Sequence, residues 1–298
     1  MKIIHLLIVL LLLTSCGIAQ PHTPLTERLQ ALAIHSNNSG LATPSNTLRL
    51  VSLNLAHGRL DSFHQLFVSS EQIKTNLNTV ANFLIDTDAD IVALQEADGP
   101  SRWSGNFDHV DYLATKADFN YYVRAENVNN YFGDYGSGVL SQRPITEAQG
   151  FTFEPSPPTS NKGFSVAQVQ WQRLGHDQPL LIDVVSVHLD FSRDSVRQSQ
   201  IEEIKQVLAL RAKNKSSNTI IMGDFNSEWL AREYMLERFA ENSPLHVFEP
   251  ASQTLNTYGA KRIDWILLSN NLEFVSHTVN DTVLSDHRAL VAEIKLKD

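Results

Sequence analysis

Residues 219–226 read Thr-Ile-Ile-Met-Gly-Asp-Phe-Asn. A short apolar run enters a glycine and stops on an acid, which is the pattern of a buried strand that ends on a polar group. The same pattern recurs outward in both directions. Leu48, Leu50, Leu53 and Leu55 mark a run that carries Asn54, and residues 91–95 run into Glu96. Val184-Val185-Ser186-Val187 closes on His188, and Asp286-His287 precede the apolar run 289–296. Further short runs fall at 121–125, 138–141, 164–171, 180–189 and 262–268, each bounded by polar or Gly/Pro punctuation. Helical periodicity lies between them at 70–87, 110–118, 195–212 and 229–239. The third of these places Val196, Ile201, Ile204, Val207, Leu208 and Leu210 on one side. Strands outnumbering helices roughly two to one, with the helices grouped between sets of strands, predict an α/β fold of two packed sheets flanked by helices.

Taken singly, an Asn at a strand end makes a turn and an Asp caps a helix. Taken together, Asn54, Glu96, His188, Asp224, Asp286 and His287 place six polar groups at strand ends that converge on one mouth. Phosphate-ester hydrolysis needs such an inventory. Oxygen ligands such as Asn54, Glu96 and Asp286 suit a hard divalent cation, Mg²⁺ or else Mn²⁺ or Ca²⁺. Asp224 is placed to activate a water, Asn226 and His287 to hydrogen-bond a phosphoryl group, and His188 to add a further contact to phosphate. Asp264 is placed to orient a histidine.

Seven segments carry a resemblance: SLNLA (52–56), ALQEAD (93–98), YGSGVLSQRPI (135–145), SVHLD (186–190), MGDFN (222–226), RIDWI (262–266) and LSDH (284–287). In this order they resemble the motifs of the endonuclease/exonuclease/phosphatase superfamily, which includes pancreatic-type deoxyribonucleases, abasic-site endonucleases, neutral sphingomyelinases and inositol polyphosphate phosphatases. The resemblance spans about residues 48–298 and implies a four-layered αββα sandwich. It also implies roles: Asn54, Glu96 and Asp286 as the metal cluster, Asp224 and Asn226 as the water-activating and phosphate-contacting pair, His188 opposite them, and Asp264 with His287 as the catalytic couple. It leaves the substrate open among nucleic acid, phospholipid headgroup and inositol phosphate. The alternative from another class is a catalytically silent sandwich serving as a scaffold, but a binding role places no demand on a complete water-activating set.

The N-terminus reads as an export signal. Lys2 is followed by an apolar run over residues 3–13 that is short for a bilayer span. It ends at Leu13-Thr14-Ser15-Cys16-Gly17, which resembles a bacterial lipobox. The expected organisation is a signal peptide over 1–15, lipidation at Cys16, a flexible tether over 16–46 and one catalytic domain over 47–298. Membrane attachment through Cys16 in the bacterial envelope, and a monomeric state, are the corresponding expectations. Cys16 is the only cysteine, so no intrachain disulfide is available. A net charge of −9 disfavours the large basic footprint of a tight nucleic-acid binder without excluding a nuclease, because bound cations reverse the local sign.

Among the remaining residues, Trp171, Trp229 and Trp265 read as core. Trp103 reads as a loop aromatic, either at the cleft mouth or packed locally. Arg124 and Lys162 are the nearest cations for a further phosphate contact, or else solvated. The proline-rich stretch 154–162 reads as a surface turn between strands.

Overall fold

The computed structural model describes residues 23–37, 43–62, 64–131, 133–212, 218–229, 231, 235–248 and 255–297. Its strands, in chain order, are β1 (Leu29–Ala31), β2 (His35–Ser36), β3 (Thr47–Asn54), β4 (Ile91–Asp98), β5 (Tyr121–Asn129), β6 (Asp134–Ser141), β7 (Ile145–Thr152), β8 (Gly163–Trp171), β9 (Leu180–His188), β10 (Thr219–Asp224), β11 (Leu245–Val247), β12 (Asp264–Ser269), β13 (Leu272–Val279) and β14 (Leu290–Leu296). The helices are α1 (Ser70–Thr87), α2 (His109–Lys116), α3 (Asp194–Ala212) and α4 (Met235–Asn242). They form two seven-stranded mixed sheets, ordered β1-β7-β8-β9-β10-β12-β11 and β13-β14-β3-β4-β6-β5-β2.

Period-two alternation builds the layers. In β3, Leu48 and Leu50 face the second sheet while Val51 and Leu53 face α1 and α2; in β4, Ile91 and Ala93 face inward and Val92 and Leu94 outward. In β10, Ile220 and Met222 join the inter-sheet core, and Ile221 packs beneath α3 and α4. Strands covered on both faces read as continuous apolar runs, which is why their sequence signal is strong. Trp171 and Trp265 are fully buried, and Trp229 packs on Trp265 at 5.5 Å. The fold is the expected αββα sandwich.

The structure corrects the sequence reading at several places. Within the stretch assigned to a tether, β1 pairs with β7 and β2 with β5, so each sheet gains an edge strand from it. Arg28 fixes this segment by reaching Glu203 on α3 at 2.9 Å. Strands of two or three residues are too short to show a period, which is why the sequence does not reveal them. Cys16 and the signal segment lie outside the described residues. Trp229 and Ala231 are not helical and α4 is described over Met235–Asn242, and Leu210 is exposed on α3 rather than part of its apolar side. Runs 145–152, 245–247 and 272–279 are additional strands.

Candidate active site

Strand register assembles the site before any side chain is considered. In the first sheet, parallel pairing sets Asp224 beside His188, and antiparallel pairing sets Asp224 beside Asp264. The row His188, Asp224, Asp264 therefore crosses the ends of β9, β10 and β12. In the second sheet, parallel β3 and β4 set Asn54 beside Gln95. The two rows meet where Asn54 Nδ2 donates to Asp224 Oδ2 at 3.1 Å, with Gln95 Nε2 donating to Ser186 Oγ at 3.0 Å just below. Gly223 makes the close row possible: its φ is +147°, and a Cβ there would lie 2.0 Å from the Val187 carbonyl oxygen.

Three site residues stand on left-handed backbone: His57 (φ 57°), Glu96 (φ 47°) and Asn226 (φ 50°). Such conformations cost on the order of 1–3 kcal/mol each and persist where the surroundings impose them. Glu96 sits at a register shift between Gln95 and Ala97, a bulge that re-aims its side chain. It therefore lies inside β4 and does not end the strand as its sequence suggests. Asn226 donates its backbone N–H to Asp224 Oδ1 at 2.8 Å and its amide to the Leu189 carbonyl at 3.0 Å. That side chain thus ties the turn after β10 to the end of β9 as well as bordering the site.

The Asp264–His287 couple is present. His287 Nδ1 lies 2.9 Å from Asp264 Oδ2, and His287 Nε2 faces Asp224 Oδ2 at 3.8 Å. Thr257 Oγ1 accepts the backbone N–H groups of Ile263 and Asp264, which fixes the acid, and Tyr258 packs on the His287 ring at 4.7 Å. Burial pushes His287 toward neutrality, but Asp264 and Asp224 outweigh it and raise its pKa well above the ordinary histidine value. Asp224 moves the other way from a usual carboxyl: burial first, then Asp264, raise it. Asp224, Asp264 and His287 form the one group of three or more His, Cys, Asp or Glu residues, among those described, whose ligand atoms all lie within 4.8 Å of one another.

Across the cleft, Glu96 lies among Lys162, His188 and His57. Its Oε1 faces Lys162 Nζ at 3.6 Å and His188 Nε2 at 4.0 Å, and its Oε2 faces His57 Nε2 at 3.3 Å. Burial pushes Glu96 up, but His57, Lys162, His188 and His287 outweigh it and hold the carboxyl well below its ordinary range. His188 is driven well below its ordinary value by burial and by Lys162, whose Nζ approaches His188 Nδ1 at 3.4 Å. It is therefore neutral, with Nε2 directed to Asp224 at 3.5 Å, and serves the site as a hydrogen-bonding group and not as a cation.

The three residues expected as the metal set reach different partners. Asn54 faces Asp224, Glu96 faces His57 and Lys162, and Asp286 at the rim pairs with Arg59 at 2.5 Å. Of the two extra cations, Lys162 is buried in the site, whereas Arg124 is consumed by Asp108, Asp134 and Glu126. Trp103 meets the ring edges of His57 and His64. Sequence reasoning missed His57, Asp98 and Arg59. His57 follows the SLNLA segment directly and Asp98 closes ALQEAD, so both lay beside signals already read.

These features define a class. The model of the Endonuclease/Exonuclease/phosphatase family matches residues 51–287, and the chain belongs to that family. No curated protein matches it in sequence. Solved structures share the fold. An endonuclease/exonuclease/phosphatase from Bacteroides vulgatus superposes with a TM-score of 0.65 at 15% identity, covering 84% of this chain and 99% of that one. The human Nocturnin catalytic domain, solved with bound sulfate, gives 0.63 at 17%, covering 93% and 100%. A mannosyl-6-phosphatase from Bacteroides thetaiotaomicron gives 0.61 at 15%, covering 84% and 100%.

Proposed function

We propose that this protein hydrolyses a phosphodiester or phosphomonoester with the help of a divalent cation, Mg²⁺ or else Mn²⁺ or Ca²⁺, while tethered to the bacterial envelope through Cys16. The observation that carries the chemistry is the row of buried groups in which Asp264 holds His287 and His287 faces Asp224. Asp224, raised toward the neutral range, is suited to take the proton of an attacking water. His287, cationic under Asp264, is suited to donate from Nε2 to a phosphoryl oxygen, with neutral His188 donating from the opposite wall.

The donor set fits a cation. Glu96, Asp224, Asp264 and Asp286 supply carboxylate oxygens and Asn54 an amide oxygen, the ligand type that hard divalent ions take. Asp224 and Asp264 are buried side by side with His287, which adds acid and imidazole donors close to this set. Glu96, with Asn54 and Asp286, would hold the ion, which when bound supplies Lewis-acid polarisation of the phosphate. Lys162 keeps Glu96 ionised and aimed. Two proteins of this fold, a mannosyl-6-phosphatase and a domain holding a sulfate anion, support a phosphate-ester substrate. The net charge of −9 weighs against a tight nucleic-acid binder.

The test is a hydrolysis panel of DNA, RNA, sphingomyelin, phosphoinositides, inositol phosphates and an aryl phosphodiester, run with each cation and with chelator. Activity on one class, lost in chelator and in Glu96→Gln with the fold intact, is the expected result; chelator-resistant turnover sinks the reading. For location, Cys16→Ser should leave the membrane fraction, and a wild type recovered soluble without lipid on Cys16 overturns the anchor alone.

A further inference from the structure

The strongest feature that the chemistry above leaves unused is the pair His57 and Asp98. His57 Nδ1 lies 2.7 Å from Asp98 Oδ1, and Asp98 is fully buried with no partner for its Oδ2 among the described residues. An acceptor this close makes Nδ1 the protonated nitrogen and turns the Nε2 lone pair outward, the arrangement by which a carboxylate orients a ligating histidine. Nε2 points at Glu96 Oε2 from 3.3 Å. That is longer than the roughly 2.7–2.9 Å of a charge-assisted N–H···O bond. It is close to the spacing of about 3 Å between neighbouring ligands that bind one ion at about 2.0–2.2 Å.

The histidine is held as rigidly as the glutamate. Its carbonyl accepts Gln65 Nε2 at 3.0 Å, and the rings of Tyr135 and Trp103 meet it nearly at right angles at 4.9 and 5.8 Å. Both His57 and Glu96 sit on positive-φ backbone, so two strained positions are maintained to face each other. Resting on the metal-dependent reading above, we infer that His57, oriented by Asp98, is a nitrogen ligand of the cation bound at Glu96, so that the centre is a mixed nitrogen and oxygen site. An imidazole in the ligand set favours Co²⁺ or Zn²⁺ over the oxygen-seeking Mg²⁺ and Ca²⁺.

The full chain loaded with Mn²⁺ alone tests this by pulsed electron paramagnetic resonance. Wild type shows a ¹⁴N coupling that His57→Asn loses and His188→Asn keeps. Co²⁺ affinity measured by calorimetry falls about 10–100-fold in His57→Asn and in Asp98→Asn, the range typical of lost ligand support, while Ca²⁺ affinity holds. Asp98→Asn retains the ligand itself, so it and the wild-type spectrum decide the matter if His57→Asn does not fold. Mn²⁺ binding that Glu96→Gln weakens but that shows no ¹⁴N coupling in wild type removes His57 from the site and leaves the metal reading standing. Coupling that persists in His57→Asn has the same meaning. Binding that Glu96→Gln leaves unchanged overturns the metal reading and this assignment with it.

Discussion

Two histidines, 287 and 277, are equally buried at 7% exposure, yet their protonation is driven in opposite directions. His287 has Asp264 on Nδ1 and Asp224 beyond Nε2, and its pKa rises. His277, on β13, is packed between Phe248 at 5.1 Å and Phe274 at 5.9 Å, and neither ring nitrogen has a partner among the described residues. Burial, reinforced by Arg262, pushes it down to about 4. Burial favours the neutral ring in both places; the carboxylate decides the outcome. The candidate site is thus distinguished from the packing region by acids placed against the desolvation that both share.

The most severe way to break this contrast is to remove the acid. Asp264→Asn should make His287 resemble His277, and NMR titration should find its pKa moved down. Activity should fall by roughly 10²–10⁴ in Asp264→Ala or in His287→Ala, the usual span for lost acid–base groups. The double variant should lose little more, since residues acting as one unit are not additive. Single losses that add strictly in log rate, with every variant folded and metal-loaded, would refute the couple and favour His188.

A smaller effect separates the two histidines through stability. The unfolded chain protonates residue 277 below about 6.5, but the folded chain only below about 4. Between those values the unfolded state binds more protons, so stability rises with pH there. The contribution is fully present above 6.5 and is lost as pH falls to 4, about 3 kcal/mol at 1.36 kcal/mol per unit. His287 has the opposite sign: its raised pKa stabilises the fold below 6.5, and that gain is lost as pH climbs through the raised value. Denaturant midpoints across pH should show His277→Phe with a flatter acid limb than wild type. An unchanged acid limb would mean that residue 277 finds a proton acceptor in the fold.

How much of this contrast can be read from sequence depends on where each partner lies. Asn54, His188 and Asp224 were legible because each closes a short apolar run and strand register brings those ends together, whereas Asp264 was read from its place in the RIDWI segment. His57 and Asp98 were not, although both flank recognised segments. They stand 41 positions apart, and only the parallel pairing of β3 and β4 brings them together. The bulge at Glu96 is equally silent in a run that reads as uninterrupted strand. Edge strands β1 and β2 were missed because two or three residues carry no period, and β13 because its exposed positions blur the alternation.

The finest distinction concerns aromatic packing, because both histidines have it. Tyr258 lies 4.7 Å from His287 at an interplanar angle of 37°, and Phe248 lies 5.1 Å from His277 at 9°. If ring contacts set the protonation, the two residues would behave alike, and they do not. Phe248→Leu therefore isolates the packing contribution at a residue that touches Phe274 and His277 and is not part of the candidate site. It should cost about 0.5–1.5 kcal/mol beyond the lost area, the usual worth of a ring pair, with turnover unchanged. The acid limb of stability should keep its window between about 4 and 6.5, because burial and Arg262 still act on His277. An acid midpoint that moves by a full pH unit in Phe248→Leu would show that the stacked ring itself holds His277 neutral, and the contrast with His287 would then rest on ring geometry as much as on the carboxylate.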